Sequence, residues 1–329
     1  MWAVEFTGPA SDASGTCVTA INRPRPGPGQ VSLDVSHAGI NFKDVMARRG
    51  DQGYVDRWPF VPGLDAAGTV REVGPGVTSL APGTRVAAYL GQGGLAEVAV
   101  ADARLTVAVP PGLDLAVAAA APGALVSAEL LVTEIGRVRP GESVLVHGAA
   151  GGVGQAVAQF ARRRGAGLLV GTVGSPARVE AARQAGYDRV IARTTNMGEL
   201  IRSAAGGAGV DVVLDPQGTA LLEMDLAAVA PGGRIIVFGN AGGGAVSQLP
   251  DLGRLFAGNA SVGGFSLAAL AASSPDVVAA TVKRVLADLT EGNVHLDVTV
   301  HDGLGRAAQV QQWLADGSAA GKQVIRIER

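Results

Sequence analysis

Val144-Leu145-Val146-His147 runs directly into Gly148-Ala149-Ala150-Gly151-Gly152-Val153-Gly154, followed by a stretch rich in Ala, Gln and Phe. A β-branched run, a glycine cluster and helix formers in that order predict a strand, a tight turn and a helix. Such a turn offers free backbone N–H groups and the partial positive charge of a helix N-terminus to a phosphate. The spacing is that of a dinucleotide-binding turn with Ala149 in the first glycine position. Gly151 lets the backbone approach a pyrophosphate, Gly154 permits close helix–strand packing, and Gly152 and Val153 belong to the same cofactor-binding set.

The cofactor type is legible one strand later. A site for NAD commonly places Asp or Glu about 20 residues beyond the turn to hold the ribose 2′-hydroxyl. This chain has no acid between Gly154 and Glu180. Gly171-Thr172-Val173-Gly174-Ser175 occupies that strand end instead, with Arg178 and Arg193 nearby. A Ser175 hydroxyl and two guanidinium groups beside Gly174 suit a 2′-phosphate through charge-assisted hydrogen bonds, so NADPH is the expected cofactor.

The elements that must position these groups follow from periodicity. From Val144 onward, continuous apolar runs at Val144–His147, Leu168–Val173, Arg189–Ala192, Val210–Asp215, Arg234–Gly239 and Ser261–Phe265 alternate with helical stretches. That pattern predicts a doubly wound parallel sheet covered on both faces. Residues 1–122 instead show short alternating runs punctuated by Pro and Gly, as in a compact β-rich module. A helix at Asp276–Thr290 precedes short elements: a strand at Leu296–Val300, a helix at Leu304–Ala315 and a closing strand at Gln323–Ile327. The expected class is therefore α/β, with a β-rich domain at 1–122 completed by 295–329 and a Rossmann domain at 123–294.

Composition removes several function classes. Lys plus Arg is 27 against 29 acids, so no basic field exists to hold a nucleic acid backbone. The single cysteine, Cys17, forbids an intrachain disulfide or a cysteine-rich zinc site. The longest apolar stretch, around Leu115–Ala128, is interrupted by Pro122 and Gly123 and falls short of the roughly 20 residues a membrane span needs. Met1-Trp2-Ala3-Val4-Glu5 shows no basic segment followed by an apolar one, so no secretory signal and a cytoplasmic location are expected. The four histidines, His37, His147, His295 and His301, have no metal-ligand spacing; His37 and His147 fall in strands and are expected to pack.

Further motifs occur in order along nearly the whole chain: Gly39-Ile40-Asn41-Phe42-Lys43-Asp44, Pro62-Gly63-Leu64-Asp65-Ala66-Ala67-Gly68, Val73-Gly74-Pro75-Gly76-Val77, Gly83-Thr84-Arg85-Val86, Pro231-Gly232-Gly233-Arg234 and Gly321-Lys322. With the glycine turn, they resemble the medium-chain dehydrogenase/reductase superfamily, in its zinc-free quinone oxidoreductase and enoyl reductase branch. The resemblance implies a GroES-like catalytic domain, a Rossmann domain, bound NADPH and a homodimer formed through the Rossmann sheet edge. Zinc alcohol dehydrogenases of the superfamily have Cys where this chain has Asn41, and Gly-His-Glu where it has Gly63-Leu64-Asp65. No metal is therefore expected.

The same resemblance assigns Asn41 and Tyr54 to catalysis and Phe238, Gly239 and Lys322 to the cofactor. Hydride transfer to an electron-poor carbon builds negative charge on the substrate carbonyl oxygen. Without zinc, hydrogen-bond donors must stabilise it, at roughly 3–4 kcal/mol each in a dry site. A phenol such as Tyr54 is protonated at neutral pH and can also deliver a proton. Polyketide-synthase enoyl reductases often carry a lysine after the glycine equivalent to Gly239, whereas this chain continues Asn240-Ala241-Gly242-Gly243-Gly244. The expected activity is NADPH-dependent reduction of a small quinone or α,β-unsaturated carbonyl compound. An enoyl-thioester reductase and an NADPH-binding structural or regulatory protein are the alternatives.

Overall fold

The computed structural model describes residues 1–218, 220–243, 252–319 and 321–328. Along the chain the elements are β1 (Trp2–Phe6), β2 (Thr16–Ala20), β3 (Gln30–Ile40), α1 (Phe42–Arg49), β4 (Asp65–Val73), β5 (Arg85–Tyr89), β6 (Val98–Asp102), β7 (Thr106–Ala108) and α2 (Leu115–Leu130). There follow β8 (Ser143–His147), α3 (Gly152–Arg163), β9 (Leu168–Val173), α4 (Val179–Gln184), β10 (Arg189–Ala192), α5 (Met197–Ala204), β11 (Val210–Asp215), α6 (Leu222–Ala228), β12 (Val229–Val237), α7 (Leu252–Gly258) and β13 (Ser261–Gly264). The chain closes with α8 (Leu267–Ser273), α9 (Pro275–Glu291), β14 (Val298–Asp302), α10 (Ala307–Ala315) and β15 (Lys322–Arg326).

Two compact units emerge, Met1–Val126 with Leu267–Arg329, and Ser127–Ser266. The return to the first unit falls at Leu267 rather than at residue 295. The reason is packing: α9 lies against β7 and the turn Ala103–Leu105, and α8 lies against α9.

In the first unit a seven-stranded sheet has the order β14-β15-β3-β4-β5-β7, with β6 also paired to β3, and β1 and β2 form a separate antiparallel pair. Its core gathers Phe6, Leu33, Val70, Val86 and Ile325. β15 lies antiparallel to β3, with Gln323 opposite Ile40, and this brings Lys322 to the start of α1.

The second unit holds a six-stranded parallel sheet of order β10-β9-β8-β11-β12-β13. This is the doubly wound order, whose strand sequence reverses between β8 and β11, where such sheets bind ligands outside their carboxyl ends. The core strands read as continuous apolar runs because both faces are covered; Leu145, Val170, Val213 and Ile235 are fully buried.

One expectation fails. Pro122 does not break the apolar stretch: α2 passes through it and continues as a wide helical turn, Leu131–Ile135. The resulting 21 residues are long and apolar enough to cross a membrane, but 83% of the most apolar window is buried, as in the core helix of a globular protein. The apolar packing gained by a helix buried on all sides offsets the cost of the hydrogen bond that proline omits.

Candidate active site

In the second unit β8 ends at His147 and the chain turns at Gly148, whose φ of 73° suits glycine. Gly151 caps α3 with no side chain over the helix end. The N–H groups of Gly152, Val153 and Gly154, which have no partner within the helix, are therefore left for an outside acceptor. A Cβ at Gly154 would stand 2.5 Å from the Gly148 carbonyl oxygen and 2.8 Å from Ala149 backbone atoms, so only glycine lets α3 approach β8 this closely. Buried Ala149 donates its N–H to Thr172 O at 2.9 Å, and Tyr187 Oη donates to Gly154 O at 2.6 Å. These bonds fix the turn against β9 from two sides. The arrangement suits an anionic group, for which the helix end supplies donors and a positive field.

The candidates from the next strand gather at the carboxyl end of β9. Gly174 is exposed, and a Cβ there would meet nothing within 4 Å. Ser175 opens the turn that carries Arg178, and its hydroxyl does not cap that turn. Arg178 reaches back over the glycine turn to donate to Ala150 O at 3.1 Å. Arg193 is exposed just beyond β10, held there by its N–H to Val173 O at 2.9 Å. At the end of β12, Phe238 donates its N–H to Asp215 O at 2.8 Å, and a Cβ at Gly239 would stand 2.7 Å from Pro216 O. The loops after β11 and β12 thus run side by side, joined by Ala241 N–H to Pro216 O at 2.9 Å. Gly244 lies outside the described residues.

Within the first unit Asn41 caps α1, but its side chain faces other protein groups. Its Nδ2 donates to Asp65 Oδ1 at 3.0 Å and to Gly39 O at 3.4 Å, while its Oδ1 accepts from Lys322 Nζ. The amide has only one consistent orientation, because an ammonium can only donate and a carboxylate can only accept. The amide donors of Asn41 are therefore engaged by Asp65 and Gly39 in this structure. Lys322 belongs to the same network. It is 3% exposed and reaches Ile40 O at 3.3 Å, Asn41 Oδ1 and Asp65 Oδ2 at 3.4 Å, which accounts for the three donors of its ammonium. In this network it is the buried counter-ion of Asp65.

Asp44 and Asp65, for which sequence reading found no role, complete the network. Asp65 is fully buried and accepts Gly123 N–H at 3.0 Å. Asp44 accepts the N–H of Asn41 at 2.8 Å and of Gly63 at 2.9 Å. Burial pushes the Asp44 carboxyl up to about 6, with the Asp65 charge adding to the rise and the two backbone donors and Lys322 opposing it. Among the described residues no group of three or more His, Cys, Asp or Glu could hold a metal ion. The Lys322 ammonium supplies positive charge beside Asn41 and Asp65.

Tyr54 is half-buried and packs on the core of the first unit, its N–H bonded to Asp51 O at 3.2 Å. Burial, with the Asp51 charge second, raises its phenol above the usual value, so the hydroxyl keeps its proton. Of the two catalytic candidates, Tyr54 alone has a side-chain donor not engaged by another described residue. His147, expected to pack, is buried but hydrogen-bonded through both ring nitrogens, to Thr172 and Asp225.

Residues 27–111 match the family described as Alcohol dehydrogenase GroES-like domain, and residues 152–287 match Zinc-binding dehydrogenase. The chain is 37% identical over 236 residues to a 2-haloacrylate reductase of a Burkholderia species, covering 69% of this chain and 71% of that one. It is 34% identical over 336 residues to the pikromycin polyketide synthase component PikAII of Streptomyces venezuelae, covering 99% of this chain but only 8% of the synthase. The chain thus spans less than a tenth of the length of that relative. The crystal structure of Escherichia coli quinone oxidoreductase complexed with NADPH superimposes with a TM-score of 0.91 at 26% identity, covering 99% of this chain and 100% of that one. The motifs, the two-unit fold and these similarities agree: the chain belongs to the medium-chain dehydrogenase/reductase superfamily, in its zinc-free quinone oxidoreductase and enoyl reductase branch.

Proposed function

We propose that the protein is an NADPH-dependent, metal-free reductase of an activated double bond in a small quinone or α,β-unsaturated carbonyl compound. The observation that carries this reading is the cradle of the second unit. Uncapped N–H groups of Gly152 to Gly154 suit the pyrophosphate, and Ser175, Arg178 and Arg193 around open space at Gly174 suit the 2′-phosphate. Bound NADPH supplies the hydride. The phenol of Tyr54 donates its proton to the enolate formed when hydride adds to the β-carbon, and solvent restores that proton. Asn41, Asp65 and Lys322 set the local structure at the start of α1.

Tyr54→Phe is expected to lower kcat on an enone by about tenfold to a hundredfold, the lower range of general acid catalysis, with NADPH affinity unchanged. The effect on a quinone is smaller, because a reduced quinone takes its protons on oxygen directly from water. Equal kcat for wild type and variant on both substrates would remove Tyr54 from the chemistry. The similarity to a polyketide synthase favours a second reading, reduction of an enoyl thioester. NADPH oxidation with a crotonyl thioester, compared with an enone and a quinone, separates the two, and no turnover with any of them would leave a binding protein.

We also propose a homodimer through the free edge of the second sheet. β13 ends the strand order, and on neighbouring α7 Leu252 and Phe256 are 77% and 84% exposed, four residues apart on one face. Sedimentation at micromolar concentration is expected to give twice the chain mass, and Phe256→Asp to give the monomer; a monomeric wild type would refute the assembly.

A further inference from the structure

Three buried ionisable side chains lie beneath the carboxyl edge of the second sheet and play no part in the chemistry above. In the strand register Leu214 pairs with Val146, and His147 with Thr172. Asp215, His147 and Thr172 therefore stand side by side at the ends of β11, β8 and β9. Asp225 of α6 covers them. His147 Nδ1 lies 2.7 Å from Thr172 Oγ1, and its Nε2 lies 2.8 Å from Asp225 Oδ1; both partners of the His147–Asp225 pair have fully buried side chains. Asp215 is also fully buried and accepts Gln217 N–H through Oδ1 at 2.6 Å.

The second oxygens of Asp215 and Asp225 are buried and receive no donor from another group. Asp215 stands beside His147 in the register and Asp225 is bonded to His147, so the two carboxyls are neighbours in a dry site, where one proton held between them satisfies both. Burial raises the Asp215 carboxyl to about 7; Asp225 adds to the rise, both by its charge and by a hydrogen bond between the two side chains, and His147 opposes it. Among the described residues Asp225 and His147 are the charges that act on Asp215; β9 and β12 present Thr172 and Val237 at this level.

The cluster sits at the root of every loop in the cofactor cradle. His147 precedes the glycine turn, and Thr172 O receives the Ala149 N–H. Asp215 anchors Gln217, whose loop is bonded through Pro216 O and Gln217 O to the N–H groups of Ala241 and Gly242, just beyond Phe238 and Gly239. We propose that His147, Asp225 and Asp215 are positioning residues that share a buried proton and thereby hold the glycine turn and the loops after β11 and β12 in register for the dinucleotide. Loss of that proton leaves two adjacent carboxylates to repel each other, and the loops they root shift. This rests on the reading that the second unit binds NADPH.

The test is a fluorescence titration of NADPH, and of NADH, which lacks the ionising 2′-phosphate, from pH 6 to pH 9. A thermal melt of the ligand-free protein over the same range accompanies it. For wild type, both dissociation constants are expected to rise about tenfold, and the melting temperature to fall, as pH rises through the neutral range. Asp215→Asn keeps an N–H donor facing Asp225 at every pH and should flatten both profiles. Affinities independent of pH in wild type, or a dependence that persists unchanged in Asp215→Asn, would overturn the proposal alone. Failure to bind either dinucleotide at any pH would overturn the cofactor reading and the proposal together. If Asp215→Asn does not fold, Asp225→Asn serves the same comparison.

Discussion

Lys322→Met is expected to destabilise the first unit by about 3–5 kcal/mol at pH 8, the range for removing one partner of a buried ion pair. The ammonium and Asp65 are both almost wholly buried, so the variant leaves a carboxylate with only the Gly123 N–H and the Asn41 amide as partners. Asp44, whose carboxyl is already raised to about 6, loses the cation that opposes that rise and moves higher. The sign follows from linkage: a carboxyl raised in the folded state holds its proton while the unfolded chain has released it, so stability falls as pH climbs from about 4 through the folded value. In the variant that window extends upward. The deficit relative to wild type should be smaller at pH 5 than at pH 8, as measured by urea unfolding at both. An equal deficit at the two pH values, or one below about 1 kcal/mol, would show that the ammonium does not act as the counter-ion of this network.

Gly154→Val should raise the dissociation constants of NADPH and NADH together by at least a hundredfold, about 2.7 kcal/mol. The added side chain cannot be absorbed by rotamer changes, because every atom it meets within 3 Å is backbone of Gly148 or Ala149. Either α3 lifts from β8 or the glycine turn deforms, and both take the helix N–H groups away from the pyrophosphate. Arg178→Ala should separate the cofactors instead, weakening NADPH about tenfold and leaving NADH within a factor of two, because only NADPH carries the 2′-phosphate. Fluorescence titration of both variants gives the two numbers. Equal losses for the two dinucleotides in Arg178→Ala would place the 2′-phosphate elsewhere.

Local signals carried a good part of this structure. β9, β10 and β11 begin and end where their apolar runs do, because strands buried on both faces leave uninterrupted Val, Ile and Leu. The glycine turn was legible for a similar reason, since its chemistry is contained in adjacent residues. Pro122 misled because a proline is a local signal, while the burial that overrides it is tertiary. The beginning of β12 was missed because the strand starts at Val229 and passes through Pro231-Gly232-Gly233, which reads as a turn. Asn41 illustrates the deeper limit. Its residue type suggested a donor for substrate, but its partners lie 24 and 281 positions away, and nothing near it in sequence announces them. The same holds for His147 and Asp225, 78 positions apart.

The way the first unit is assembled bears on how the protein reaches its folded state. Its central strand β3 lies between β4, which follows it closely, and β15, whose Lys322 is 282 positions from Ile40. The second unit, by contrast, is one continuous stretch of chain. Closing a loop of that length has a large entropic cost before any contact repays it, so pairings of such separation form late. The pairings of the parallel sheet need no such closure and can form while Asp65 and Asn41 still await their ammonium. During that interval the edge of β3 that will receive β15 is unpaired, and it is the surface through which misassembly during refolding would begin.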